Sequence, residues 1–348
     1  MAGMSAPAGW PDDPRNRRPS HSLQGARELN EFTLMIHAKD MATRPLSEKS
    51  HYGNERNLTI ISEWMNEKCM TFLTIDFEGC ADLIHFLYNS GDRGCRSEGR
   101  VGNMLTSLAS VIELLQLTRR RVDNPIPLAR KRYLKAYKSD GGPSVPKQCP
   151  PHAVIAEMIN SILDYQVKVC HIILAKTGLR RGEFLMLNLE DVNIEENYLI
   201  AGPKRKRSNR KICFDSECAA AIRRWLSIRY SYGPSADEVA FMVNSLGRRM
   251  GRNTLNRIIS KEAIRHGIHD PKAPKDRWDL RFSPQNYRHW FTTNLRKGGC
   301  PERIIRVLRG DADISMVDHY DHPTWEEMLH HYLAAMPTFE GSSASGGV

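Results

Sequence analysis

The stretch "KSDGGPSVPKQCPP", residues 138–151, constrains this chain more than any other. Glycine and proline dominate it, and neither suits the interior of a helix or strand. It separates two long blocks of helical periodicity, so it is expected to be a linker between two folded bodies. The length agrees, since single cores stop growing beyond about 250–300 residues and this chain has 348.

Residues 25–137 form the front block. In "LTIISEWMNEKCMTFL", "ADLIHFLYNS" and "VGNMLTSLASVIELLQL", apolar residues recur at three and four, as on one face of a helix. "DNPIP" at 123–127 breaks the last pattern, because proline cannot continue a helix. The second block, 152–339, opens on an apolar helical pattern, "AVIAEMINSILDYQVKVCHIILAKTG". In "NYLIAGPKRKRSNRKICF" two strand-like runs flank a basic turn, which signals a hairpin. Helical patterns follow at 253–266, 286–298, 301–309 and 324–335. Residues 1–24 are polar and Pro-rich and are expected to be a disordered arm; 340–348 reads as a flexible tail. The expected fold is mainly α with a small β-hairpin or sheet, in two domains.

Composition excludes several classes. No apolar run approaches the roughly 20 residues needed to span a bilayer. The opening segment lacks the apolar core of a secretory signal, so a cytoplasmic location and no membrane partner are expected. That argues against cell adhesion for the Arg-Gly-Asp at 309–311. The eight cysteines form no CxxC pair, so free thiols and no metal site are expected. The net charge of +10 suggests a polyanionic partner, and its placement is more telling. In "PKRKRSNRK", residues 203–211, six of nine side chains are basic, which favours phosphate contact over mere solubility.

Three segments of the second block belong together. In "TGLRRGEF" Arg180 sits in a turn, where its guanidinium can project into a cleft while Glu183, three residues on, holds it. Alone, it would read as a surface arginine at a helix junction. A lysine at the tip of the basic hairpin can reach a neighbouring groove; the competing reading is a solvated turn. In "SPQNYRHWFTTNLRKGG" Pro284 favours a helix start and Arg288 falls one turn inside. Taken alone, Arg288 could be an ion-pair partner and His289 a core histidine. "LRGDADISMVDHYDH", 308–322, follows after a short helix and ends on Tyr320 and His322.

Together these segments resemble the tyrosine recombinase family, the phage-integrase type. The T-G-L-R-x-x-E box is matched by Thr177, Gly178, Leu179, Arg180 and Glu183. The hairpin lysine is matched by Lys206, with Lys204 as the fallback. The H-x-x-R-H-x-F-x-T box is matched by Arg288, His289, Phe291 and Thr293, and the closing box by Leu308, Gly310, Asp311, Tyr320 and His322. Within the family, the LRGD variant looks most like integrases of archaeal mobile elements. The likeness implies a catalytic domain over 152–339 and a helical core-binding domain over 25–137 that clamps DNA. It also implies double-stranded DNA as partner, with Arg205, Arg207 and Arg210 joining Lys204 as contacts. A homo-tetramer on DNA, docked through the C-terminal helix, and the absence of any cofactor follow from the same likeness.

The implied chemistry cuts and rejoins DNA through a 3′-phosphotyrosine. Two arginines stabilise charge on the phosphorus, a lysine protonates the leaving 5′-oxygen, and Tyr320 is the nucleophile. Arginine and lysine would supply the charge that a metal supplies elsewhere. Tyr332 in "LHHYLAAMP" is the other tyrosine flanked by histidines, and is read as a helix-face residue with Leu329 and Leu333 packing inward. Two positions depart from the family: Gln285 stands for the first histidine of the H-x-x-R box, and Asp311 for a later histidine or tryptophan. Glutamine cannot take a proton near neutral pH, which leaves the general base open among His289, His319 and His322. A topoisomerase IB-like nicking-closing enzyme and a family member that only binds DNA are the alternatives.

Overall fold

The computed structural model describes residues 22–45, 47–90, 96–134, 148–202, 210–274, 277–311 and 323–339. The chain divides into two compact units, 1–144 and 145–348, with the division inside the Gly/Pro-rich stretch.

The front unit is helical: α1 (Leu23–Ala42), α2 (Glu48–Glu67), α3 (Phe77–Asn89), α4 (Glu98–Leu117) and the short α5 (Ile126–Ala129). Each of the first four starts at a capping side chain. Ser22, Ser47, Asp76 and Ser97 accept the N–H of Gly25, Ser50, Gly79 and Arg100, satisfying donors that the helix itself leaves free. The core follows the spacing: Leu58, Ile61, Trp64 and Met65 of α2 meet Leu83, Ile84 and Leu87 of α3 and Val101, Met104, Leu105, Leu108, Val111 and Ile112 of α4. Asn30 of α1 stitches the α2–α3 connection, donating to Asn66 Oδ1 (2.7 Å) and the Met70 carbonyl (2.9 Å).

The second unit runs α6 (His152–Ser161), α7 (Tyr165–Thr177), α8 (Arg181–Met186), strands β1 (Val192–Asn193), β2 (Tyr198–Ala201) and β3 (Arg210–Cys213), then α9 (Ser216–Arg229), α10 (Arg252–Arg265), α11 (Pro284–Lys297), α12 (Glu302–Arg309) and α13 (Trp325–Ala335). The opening apolar pattern, read from sequence as continuous, is two helices. Ile162 turns extended, and Asp164 restarts the chain by accepting the Val167 N–H at 3.2 Å. Strands β1, β2 and β3 form an antiparallel sheet with Leu199 opposite Ile212 and Ala201 opposite Arg210. The turn of this hairpin, 203–209, lies outside the described residues.

Helix α7 is the axis of this unit. Every residue from Val169 to Thr177 is buried, packed against α9, α10 and α11. Its surroundings include one buried ion cluster. Lys176 is fully buried, and its Nζ lies 2.5 Å from Asp215 Oδ2 and 2.6 Å from Glu217 Oε2 while donating to the Pro337 carbonyl at 2.7 Å. The residues after α13 are thereby held: the Phe339 N–H donates to Glu217, and its ring lies under the Lys176 ammonium at 4.6 Å.

Helix α13 itself packs in cis. Met328, Tyr332 and Ala335 are buried, and the Tyr332 hydroxyl donates to the Lys176 carbonyl at 2.9 Å. The face of α13 that carries these three residues is covered within the chain. The inward face differs from the sequence reading, since Tyr332 points in and Leu333 is 49% exposed.

Candidate active site

The site grows from the C-terminal end of α7. Gly178 closes that helix with φ +59°, and a Cβ there would lie 2.5 Å from a ring carbon of Phe291. Glycine is needed on both counts. The Gly178 carbonyl then accepts Arg288 Nη1 at 2.9 Å. Two residues on, Arg180 is the N-cap of α8. Glu183, at the third helical position, accepts the Arg180 backbone N–H (2.8 Å) and its Nη1 (3.0 Å), as half of a capping box.

Helix α11 starts at Pro284, with its first turn closed by Ser283 and Asn286. Arg288 lies one turn in, and its side chain is 3% exposed. Burial, then the positive charges of Arg180 and Arg309, pull its pKa down to about 10, with Asp311 opposing the shift. It stays cationic at neutral pH.

The third wall is the end of α12. Gly310 is left-handed (φ +61°); its N–H donates to Val307 and the Asp311 N–H to the Arg306 carbonyl, a Schellman turn. A Cβ on Gly310 would press 2.7 Å from Arg210 Nη1. This turn leaves the carbonyls of 308–310 without helical donors, and the arginines collect them. Arg210 Nε donates to Leu308 (2.8 Å), Arg288 Nη2 to Arg309 (2.7 Å), and Arg180 to Arg309 and Gly310 at 3.3–3.5 Å. The negative end of the α12 dipole thus faces the cations.

Asp311 completes the cluster. Its Oδ1 accepts Arg288 Nη2 at 2.9 Å and Arg180 Nη2 at 3.3 Å; its Oδ2 lies 3.1 Å from Arg309 Nε. One carboxylate oxygen therefore bridges both arginines of the family boxes. Chemically, this is a site that grips an anion with forked donors from two sides.

Arg210 is not placed as a DNA contact. Its side chain is 8% exposed, and both Nη atoms grip the Glu183 carboxylate at 3.1 and 3.0 Å. Burial alone would raise the Glu183 pKa; the hydrogen bonds from Arg210 and Arg180 outweigh it and hold the carboxyl below its usual range. Gln285 is exposed on the first turn of α11, and His289 is half-buried beside Arg288. Lys204, Arg205, Lys206, Arg207, His319, Tyr320 and His322 lie outside the described residues.

Tyr332 has no path to such chemistry. It is fully buried, and burial lifts its pKa well above the usual phenol value. Two features were missed in the sequence. Arg309 joins the anion site, and its signal was an arginine and an aspartate flanking a helix-ending glycine. His171 Nδ1 also meets the Tyr287 hydroxyl at 2.5 Å, both fully buried. That bond ties α7 to α11 one residue before Arg288.

Known proteins share this pattern. Residues 152–327 match the Phage integrase family. Tyrosine recombinase XerC of Alcanivorax borkumensis is 25% identical over 301 residues, 84% of this chain and 90% of that protein. Tyrosine recombinase XerD of Pasteurella multocida is 23% identical over 300 residues, covering 82% and 91%. Among solved structures, the Tn1549 transposon integrase in complex with transposon right end DNA superposes with a TM-score of 0.65 at 19% identity, covering 85% of this chain and 96% of that one. A lambda integrase dimer bound to a COC′ core site gives 0.58 at 11% identity, covering 83% and 76%. These structures share the fold. The narrower likeness to integrases of archaeal mobile elements finds no support here, the named relatives being bacterial XerC and XerD. The matched segment spans just over half of the chain and carries both arginine boxes, so this protein belongs to the phage integrase family, the tyrosine recombinases.

Proposed function

We propose that this chain cuts and rejoins double-stranded DNA at specific sites through a covalent 3′-phosphotyrosyl intermediate. It is a site-specific recombinase, as its relatives are; the nicking-closing and binding-only alternatives are not favoured. The observation that carries the reading is the convergence of Arg180 and Arg288, from boxes more than a hundred positions apart, on one carboxylate oxygen.

A scissile phosphate in that place would present its non-bridging oxygens to the same donors, stabilising the charge that builds on a pentacoordinate phosphorus. Tyr320 is proposed as nucleophile and Lys206, with Lys204 as fallback, as the acid that protonates the 5′-oxygen. The base is proposed among His289, His319 and His322, because glutamine at 285 cannot serve. Arg205 and Arg207 are proposed phosphate contacts, and the front unit a DNA clamp. Recombination pairs two duplexes, so a homo-tetramer on DNA is proposed, in the cytoplasm. The C-terminal helix α13, whose Leu333 is 49% exposed, is proposed to carry the subunit contacts.

The test starts by selecting a bound site from random duplexes and building it into a nicked suicide duplex. A denaturation-resistant protein–DNA adduct is expected, absent with Tyr320→Phe. Lys206→Ala should block cleavage while binding persists. An adduct that survives Tyr320→Phe would overturn the nucleophile, and no adduct from the unmodified chain would overturn the enzyme.

A further inference from the structure

We propose that Asp311 is a built-in counter-ion that occupies the scissile-phosphate position of the free protein and gives way when DNA enters. The inference rests on the reading of Arg180 and Arg288 as the phosphate grip, and it deepens that reading by naming what holds the grip before substrate arrives.

Three observations carry it. First, the bridging oxygen takes one Nη from each arginine, at 2.9 and 3.3 Å, as a non-bridging phosphate oxygen would. Second, the partners of these arginines differ in kind. The Gly178, Arg309 and Gly310 carbonyls are backbone, fixed by a helix end and a Schellman turn. Glu183 is locked by its N-cap bond and by Arg210. Asp311 alone is a short side chain at a 30% exposed position, and a χ1 rotation withdraws it. Third, charge demands an anion there. Arg180, Arg288, Arg309 and Arg210 face two carboxylates, Glu183 and Asp311. Without Asp311, Arg180, Arg288 and Arg309 would be left with backbone carbonyls and with Glu183, which Arg210 already shares.

The position is one where the family resemblance places a histidine or tryptophan. Those side chains can donate to a phosphate oxygen; an ionised aspartate only accepts. It can therefore share the arginines with a phosphate only by moving aside. Substrate must displace it, which lowers the affinity for any phosphate at this point and leaves the arginines pre-set in space for one.

The test uses the full chain in a Tyr320→Phe background, so that no cleavage intervenes. Binding is measured on two duplexes of the selected site, one with the natural scissile phosphate and one with an uncharged methylphosphonate there. The expected result is that Asp311→Asn, and independently Asp311→Ser, increases the preference for the charged duplex by roughly ten-fold or more, the scale of a charge-assisted hydrogen bond. A role in folding alone would weaken both duplexes equally and leave the ratio unchanged. An unchanged or reduced preference overturns the inference, as does failure of both variants to fold. A chain with Tyr320 restored that gives no adduct would sink the recombinase reading, while the binding ratio still judges Asp311 by itself.

Discussion

Two cation clusters sit four residues apart at the end of α7, and they are built in opposite ways. Around Lys176, one fully buried ammonium meets two carboxylates that are 10% and 11% exposed, and a carbonyl. Around Arg180, four guanidinium groups meet two carboxylates, and Arg180 itself is 41% exposed. The first cluster is sealed and has more negative than positive charge. The second is open on one side and two anions short of neutral. A structural ion cluster finds its partners inside the fold; a substrate site leaves a cationic surplus facing outward, where an anion can enter.

Breaking the sealed cluster should have the largest effect on stability. Lys176→Met strands the buried Asp215 and the mostly buried Glu217 without their cation, and should cost about 3–5 kcal/mol, read as a lower urea midpoint. A variant that melts like the parent would erase the distinction between the two clusters. Breaking the open one should act on rate instead. Arg180→Ala should lower adduct formation about 100–1000-fold, the scale for losing one donor to developing charge. Its unfolding free energy from urea titration should fall by no more than about 1 kcal/mol, since Arg180 is 41% exposed and Glu183 keeps its pair with Arg210. A large loss of stability there would mean that Arg180 belongs to the framework.

The third prediction sharpens the role of α7 as the support shared by both clusters. Burial depresses the His171 pKa to about 3, against 6.5 when exposed, so the native state keeps it neutral while the unfolded chain takes up a proton. Its stabilising contribution is therefore complete above about pH 6.5 and is lost as pH falls toward 3. Between pH 7 and pH 5 the loss from this one group should be about 2 kcal/mol. Urea midpoints at the two pH values should show it, and His171→Gln should flatten the slope. A fourth prediction supplies the baseline. Arg296 and Glu302 pair on the surface with both side chains about half exposed, and Glu302→Gln should change stability by less than about 1 kcal/mol.

The parts of this protein that the sequence disclosed are those set by local rules. The glycine-ended helix before Arg180, the proline start of α11 and the glycine-ended α12 before Asp311 are short-range patterns, and each is where the spacing placed it. What stayed hidden depends on contacts across the fold. Six basic residues in nine give no hint that Arg210 turns inward, because that is decided by Glu183 and by a carbonyl 98 positions away. The break between α6 and α7 was masked by apolar residues on both sides of one capping aspartate. On α13, Tyr332 and Leu333 are neighbours and both apolar enough to pack, so only the position of the Lys176 carbonyl settles which one turns in.

The five residues from Lys176 to Arg180 each answer to a different rule. Lys176 neutralises buried carboxylates, and the Thr177 hydroxyl donates back to the Ile173 carbonyl in a buried site. Gly178 needs a left-handed backbone, Leu179 fills the core, and Arg180 reaches the anion site. No one substitute residue satisfies any two adjacent demands. In a scan of every position, this pentapeptide should stand out as a continuous stretch of intolerance, with lost folding at its beginning shading into lost catalysis at its end.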